Sequence, residues 1–187
     1  MSGPQRPSAS FDPQGTLAEV EYDFLPGGVA SAWRVHRLAL REALSEPYEL
    51  TLDLAHDDLT ASPDELFGAR CAVTFARGEF VARRYGEVRR VSRLGVTNSR
   101  ALARVVLVPS LHRLAHRRDA RVFQDVTAID VVVKVLEGHG LYARTLVREL
   151  RRSFATREYC VQYGESDLEF VLRLLEEEGV ALSFRHD

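Results

Sequence analysis

Apolar and polar residues alternate most cleanly over Tyr48–Leu54, with apolar side chains at 48, 50, 52 and 54 and polar ones at 49, 51 and 53. Successive strand side chains point to opposite faces, so this spacing predicts a half-buried strand. A weaker alternation precedes it. Val20, Tyr22 and Phe24 set against Glu19, Glu21 and Asp23 predict a strand within 17–25, closed by a turn at Pro26-Gly27-Gly28. Trp33, Val35, Leu38 and Leu40 point to a further strand, although 37–44 equally suits a helix start; Pro47 ends either. An acidic loop then leads to Ser62-Pro63-Asp64-Glu65-Leu66, which reads as a helix start stopped by Gly68. Strands are predicted at 71–75, 79–94 and 100–108, with turns at Arg77-Gly78 and over 95–99. Gly86 lies inside the long middle strand, where glycine marks a bulge or a barrel-corner bend.

After Pro109 the period changes. Leu111 and Leu114 suggest one or two helical turns, and 122–124 a short extended piece. Thr127 with Asp130 three residues on forms an acidic capping box, followed by Ile129, Val132, Val133 and Leu136 at helical spacing and a stop at Gly138 and Gly140. Residues 141–150 fit strand or helix. Tyr159, Val161 and Tyr163 alternate with Cys160 and Gln162 as a strand, and Ser166 with Glu169 caps a second helix. Leu168, Val171, Leu172 and Leu175 line one face of that helix, widened by Phe170 and Leu174; Gly179 stops it before a return strand at 180–184. Many strands joined by hairpin turns, with few helices, predict an α+β chain that is mainly antiparallel β.

The 187 residues suffice for one large or two small domains. Residues 1–15 are polar and proline-rich and read as a flexible tail without the apolar core of a secretory signal, so synthesis in the cytoplasm is expected. No apolar run is long enough for a membrane helix. Cys71 and Cys160 are expected to be buried free thiols. The formal charge of −2 conceals three blocks, with balances of −8 over 1–69, +10 over 70–121 and −4 over 122–187. Such polarity suits nucleic-acid binding, or joins the blocks within or between subunits.

Candidate chemistry is thin. His112 and His116 have the spacing of a two-histidine metal site, but Arg113, Arg117 and Arg118 surround them. His56 beside Asp57 and Asp58 reads as a solvated loop, His139 as a helix-end residue, and Glu165 with Asp167 as acids favouring a helix N-terminus. No nucleophile elbow occurs, so no catalytic, metal or cofactor site is assigned. Arg83, Arg84, Arg89, Arg90 and Arg93 crowd the long strand; Arg83, Arg89 and Arg93 share one parity provided that no bulge intervenes. Glu176, Glu177 and Glu178 crowd a helix C-terminus, where the macrodipole disfavours anions, and invite an arginine partner. Arg83, Arg89, Arg93, Glu176, Glu177 and Glu178 are therefore the candidate subunit-interface residues. The alternative is a nucleic-acid-binding module using 70–121, disfavoured because Tyr85 is the only aromatic among these strand arginines.

The run R-E-Y-C-V-Q-Y-G-E-S-D-L-E-F-V-L-R-L-L-E-E-E-G-V, from Arg157 to Val180, resembles the N-terminal hub region of the VgrG spike proteins of type VI secretion systems. Leu66-Phe67-Gly68, Tyr85-Gly86-Glu87-Val88, the segment from Val106 to Leu114 and Arg121-Val122-Phe123-Gln124-Asp125 are similar to further motifs of that family. The resemblance implies barrel-like hub modules related to the baseplate hub of contractile phage tails. It implies a non-enzymatic homotrimer that docks on the tube-ring protein, meets baseplate components and effectors, and leaves through the apparatus without a signal peptide. The expected organisation is a tail at 1–15, a first β-barrel-like module at 16–109, and at 110–187 the start of a second α+β module, cut short relative to the family.

Overall fold

The computed structural model describes residues 20–29, 32–141 and 149–186. The expected tail at 1–15 lies outside the described residues, as does most of the ambiguous stretch 141–150. Strands β1 (Glu21–Pro26), β2 (Arg34–Arg41), β3 (Glu49–His56), β4 (Arg70–Arg77), β5 (Phe80–Thr97) and β6 (Arg100–Val108) form one sheet in the order β1-β4-β5-β6-β3-β2. All its pairings are antiparallel, and the sheet curls into a half-barrel. Leu50, Leu52 and Leu54 point inward and are fully buried, as their alternation predicts, against Val73, Val88, Ala103, Val105 and Leu107. Burying each leucine is worth about 2 kcal/mol.

Local irregularities decide which residues face inward. In β2 the register shifts between Val35 and Arg37, so His36 is bulged. The bulge moves the apolar series from odd positions, Trp33 and Val35, to even ones, Leu38 and Leu40, which made helix and strand indistinguishable by pattern. The helix start at Ser62 is a single 3-10 turn, Pro63–Leu66, with no side-chain cap from Ser62. Gly86 is not a bulge. A Cβ there would lie 3.0 Å from the Val108 carbonyl oxygen and 3.3 Å from the Tyr48 hydroxyl, so glycine permits close packing. The bulges of β5 fall instead at Arg89 and Leu94, between the paired residues Val88/Arg90 and Arg93/Gly95. The strand also runs on through Thr97, and only Asn98 and Ser99, both at positive φ, make the hairpin turn.

The second half pairs β7 (Arg118–Thr127) with β8 (Thr156–Ser166) in a separate two-stranded ribbon. The extended piece expected at 122–124 is thus ten residues long, because pairing with β8 supplies hydrogen bonds that hydrophobic pattern does not report. Each strand leads into a helix, α1 (Ala128–Gly138) or α2 (Asp167–Glu177), through a complete capping box, Thr127 with Asp130 and Ser166 with Glu169. Each helix ends in a Schellman motif: Leu141 N–H donates to Leu136 O at 3.0 Å past Gly140, and Val180 N–H to Leu175 O at 2.8 Å past Gly179. In α1 the buried stripe includes Val131 and Val135, while Val133 is only half-buried. The helices and the 3-10 segment Ser110–His116 share a second core with Leu114, Val132, Phe170, Val171 and Leu174.

The segment 180–184, expected as a return strand, belongs to neither sheet. It ties the halves together. Ser45 N–H donates to Leu182 O at 2.9 Å, Leu182 N–H donates to the Ser45 hydroxyl at 3.2 Å, and the Phe184 ring meets Tyr48 edge-on.

Candidate functional site

The charge blocks meet inside the chain. Arg84 forms a two-pronged pair with Glu42 at 2.8 and 3.0 Å, and Arg104 one with Asp53 at 2.6 and 2.9 Å. Arg34 and Arg100 share Asp57, Arg89 binds Glu49, Arg93 binds Asp64 at 2.6 Å, and Arg113 binds Glu87 at 2.5 Å. Ten of the thirteen arginines in 70–121 lie within ion-pair distance of a carboxylate, leaving Arg77, Arg83 and Arg90 without one among the described residues. The sheet order β5-β6-β3 places Glu49 and Asp53 of β3, with Glu42 and Asp57 just outside β2 and β3, near basic β5–β6, which is why blocks distant in sequence neutralise each other. The Arg104 guanidinium, by its hydrogen bonds, holds the Asp53 carboxyl below the usual carboxylate range.

The shared parity expected of Arg83, Arg89 and Arg93 does not survive, because Arg89 is itself the bulged residue. Arg83 pairs with Thr74 on the outer face, whereas Arg93 sits opposite the buried Ala103. At the other cluster the three glutamates separate. Arg157 reaches Glu177 and Glu178, each at 2.6 Å; Arg173 reaches Glu177 at 2.8 Å; Arg152 reaches Glu178 at 3.5 Å. Those arginines offset the helix-end charge, and only Glu176 has no ion-pair partner among the described residues.

One polar cluster was missed by sequence reading. Asp167, the first residue of α2, is fully buried. It accepts from Arg121 and from the Gln162 amide at 2.8 Å, while its other oxygen lies 2.7 Å from His139 Nε2 at the end of α1. Arg121 also donates to Gln162 Oε1 at 2.9 and 2.6 Å. Cys160 and Gln162 are therefore the inward side chains of β8, and Tyr159, Val161 and Tyr163 face out at 59%, 47% and 84% exposure. Apolar alternation pointed the other way because the ribbon buries this polar set on its helix side. The surviving signal was Arg121, Gln162 and Asp167 together, which only folding brings into contact.

The remaining candidates stay apart from any assembled reaction centre. The His112 and His116 rings meet edge-on at 5.3 Å, and burial, with Arg89 and His116 nearby, lowers the His112 pKa. Among the described residues no three His, Cys, Asp or Glu side chains converge as metal ligands. His56 Nδ1 accepts from the Asp58 N–H at 3.0 Å within its own loop. Both cysteines are free and buried, and burial pushes the Cys71 thiol up to about 12. No helix among the described residues is long and apolar enough to cross a membrane.

With this arrangement in hand, the family is decided by comparison. The sequence model of the phage tail baseplate hub (GPD) family matches residues 41–187. The chain belongs to the phage tail baseplate hub family. This hub sequence is 36% identical over 146 residues to the type VI secretion system spike protein VgrG4b of Pseudomonas aeruginosa, spanning 78% of this chain and 18% of that protein. It is 33% identical over 141 residues to the actin cross-linking toxin VgrG1 of Vibrio cholerae, spanning 75% of this chain and 12% of that protein. The hub fold matches the E. coli c3393 protein, a component of the type VI secretion system similar to the T4 tail proteins gp27 and gp5. The TM-score is 0.76 at 26% identity, over 88% of this chain and 45% of that one. A 43 kDa tail protein of prophage MuSo2 from Shewanella oneidensis shares the fold, with a TM-score of 0.60 at 14% identity over 86% of this chain and 49% of that one. The chain thus spans under a quarter of these curated relatives and about half of the solved hubs.

Proposed function

We propose that this chain is the hub part of a type VI secretion spike, a structural element with no catalysis of its own. Three copies assemble, dock on the tube-ring protein and present surfaces to baseplate components and effectors. The module at 16–109 and the start of a second at 110–187 are the two building units, each with its own hydrophobic core. The protein is made in the cytoplasm and leaves through the apparatus. The observation that carries the reading is the hub-family match over 41–187, supported by the fold likeness to the E. coli secretion component. Of the six candidate interface residues, Arg83 and Glu176 carry the contact, because neither side chain has a partner among the described residues. Arg89, Arg93, Glu177 and Glu178 take part only by sharing charges already paired within the chain.

The alternative, nucleic-acid binding through 70–121, is disfavoured by the ion pairs. Phosphate backbones are bound by cations that can release counterions, and most of these arginines already face carboxylates. Light scattering over a concentration and salt series, with co-sedimentation on tube rings, tests the proposal. A three-subunit mass and ring binding are expected; a chain that stays monomeric throughout and leaves the rings bare overturns it.

A further inference from the structure

A cleft of about 280 Å³ lies where the end of the first sheet meets the 3-10 segment of the second half, lined among others by Phe67, Val88, Arg90, Val108, His112 and His116. Its floor is apolar, with Val88 and Val108 buried and Pro109 beside them, and Phe67 stands at the edge with 66% exposure. Its charges are unevenly matched. Glu87 is held by Arg70 at 3.4 Å, Arg113 at 2.5 Å and the Ser110 hydroxyl at 3.1 Å, and Glu49 is held by Arg89. Three guanidiniums therefore share two carboxylates, and Arg90 adds a fourth with no partner among the described residues. Arg89 Nε is buried without a hydrogen-bond acceptor, and the His116 ring stands edge-on to that of His112 at 5.3 Å. The bulge at Arg89 produces this concentration, by turning Arg90 to the outer face opposite Val106 while Val88 stays inside.

We propose that this cleft is a binding site for an acidic peptide segment of a partner protein. A carboxylate side chain of the segment would bridge Arg90 and His116, and a neighbouring aromatic or aliphatic side chain would lie on Phe67 and Val108. Net cationic charge over an apolar floor selects such a segment, because it supplies both the acceptor and the apolar surface. Burial lowers the His112 pKa, and the positive charges of Arg89 and His116 add to it against the opposing pull of Glu49.

The test uses the whole chain and an end-blocked hexapeptide, Glu-Leu-Asp-Phe-Glu-Asp, alongside its Gln/Asn counterpart and a single-stranded oligonucleotide of random sequence. Binding is read by fluorescence anisotropy at low salt, and the His112 and His116 ring resonances are followed by NMR. The acidic peptide is expected to bind, to shift both rings and to raise the His112 titration midpoint; Arg90→Glu, whose exposed side chain holds no pair, is expected to weaken it by about tenfold. His116→Gln weakens it less and keeps the folded spectrum. Equal binding by wild type and Arg90→Glu, equal binding of the uncharged peptide, or no shift of either ring overturns the proposal. So does an oligonucleotide that binds the same rings more tightly than the peptide. Because a monomer can be titrated as well as a trimer, this result is independent of the hub assembly test.

Discussion

Replacing Asp167 by Asn removes one charge from a buried cluster while keeping its shape. Asp167 is fully buried, with Arg121 and the Gln162 amide (2.8 Å) donating to one oxygen and His139 Nε2 2.7 Å from the other. The substituted amide can keep an oxygen toward Arg121 and Gln162 and turn its N–H to His139, but it leaves the Arg121 charge without its buried counterion. Breaking a buried ion pair by removing one partner costs about 3–5 kcal/mol. The low end applies here, because Arg121 keeps 26% exposure and Asp119 stands 3.4 Å away as a second acceptor. A loss of about 3 kcal/mol is expected, or about 6–12 °C in Tm for a chain of this size. Urea unfolding with an unchanged m-value measures it, with Asp64→Asn as control. That carboxylate pairs with Arg93 where both side chains exceed 60% exposure, so it should shift stability by less than about 0.5 kcal/mol. The double variant with Arg121→Met should recover at least about 1 kcal/mol of the sum of the singles, since it removes the unpaired cation as well. Asp167→Asn within about 0.5 kcal/mol of wild type, or strictly additive singles, would refute the reasoning.

Further outcomes follow from other sites. Gly86→Ala places a methyl 3.0 Å from the Val108 carbonyl oxygen and should cost about 1–3 kcal/mol in thermal unfolding. Glu176→Gln should leave monomer stability unchanged and weaken assembly by light scattering. Glu177→Gln should lower stability modestly, by about 0.5–1 kcal/mol, because Arg157 and Arg173 each lose one of two carboxylates and keep Glu178 and Glu165, respectively. The Arg157 and Arg173 guanidiniums hold the Glu177 carboxyl below its ordinary value, as Arg104 does for Asp53. Folding depresses both pKa values, so their stabilisation is complete above the unfolded value, near pH 4, and is lost as pH falls through the folded ones; acid unfolding curves of Glu177→Gln and Asp53→Asn should flatten there. Cys71 and Cys160 should resist a thiol reagent at neutral pH in the native chain and both react in denaturant.

Much of this protein was legible along the chain. Leu50, Leu52 and Leu54, both capping boxes and the glycine helix stops follow from forces acting within a few residues: side-chain alternation, unsatisfied helix-end N–H groups and the ease of positive φ at glycine. The charge blocks were visible as well, and with them the choice between pairing within the chain and outside it. What the tertiary structure alone decided were facings and partners. Bulges at His36 and Arg89 reverse which side chains meet the core, and a bulge is set by the pairing of two distant strands rather than by the residue that protrudes. Likewise Gln162 is buried and Tyr163 exposed because Arg121 from β7 and Asp167 from the start of α2 arrive to satisfy it, and His139 at the end of α1 holds Asp167 in turn. A buried polar group is stable only when its partners are in place, and those of Gln162 stand from three to forty-one residues away.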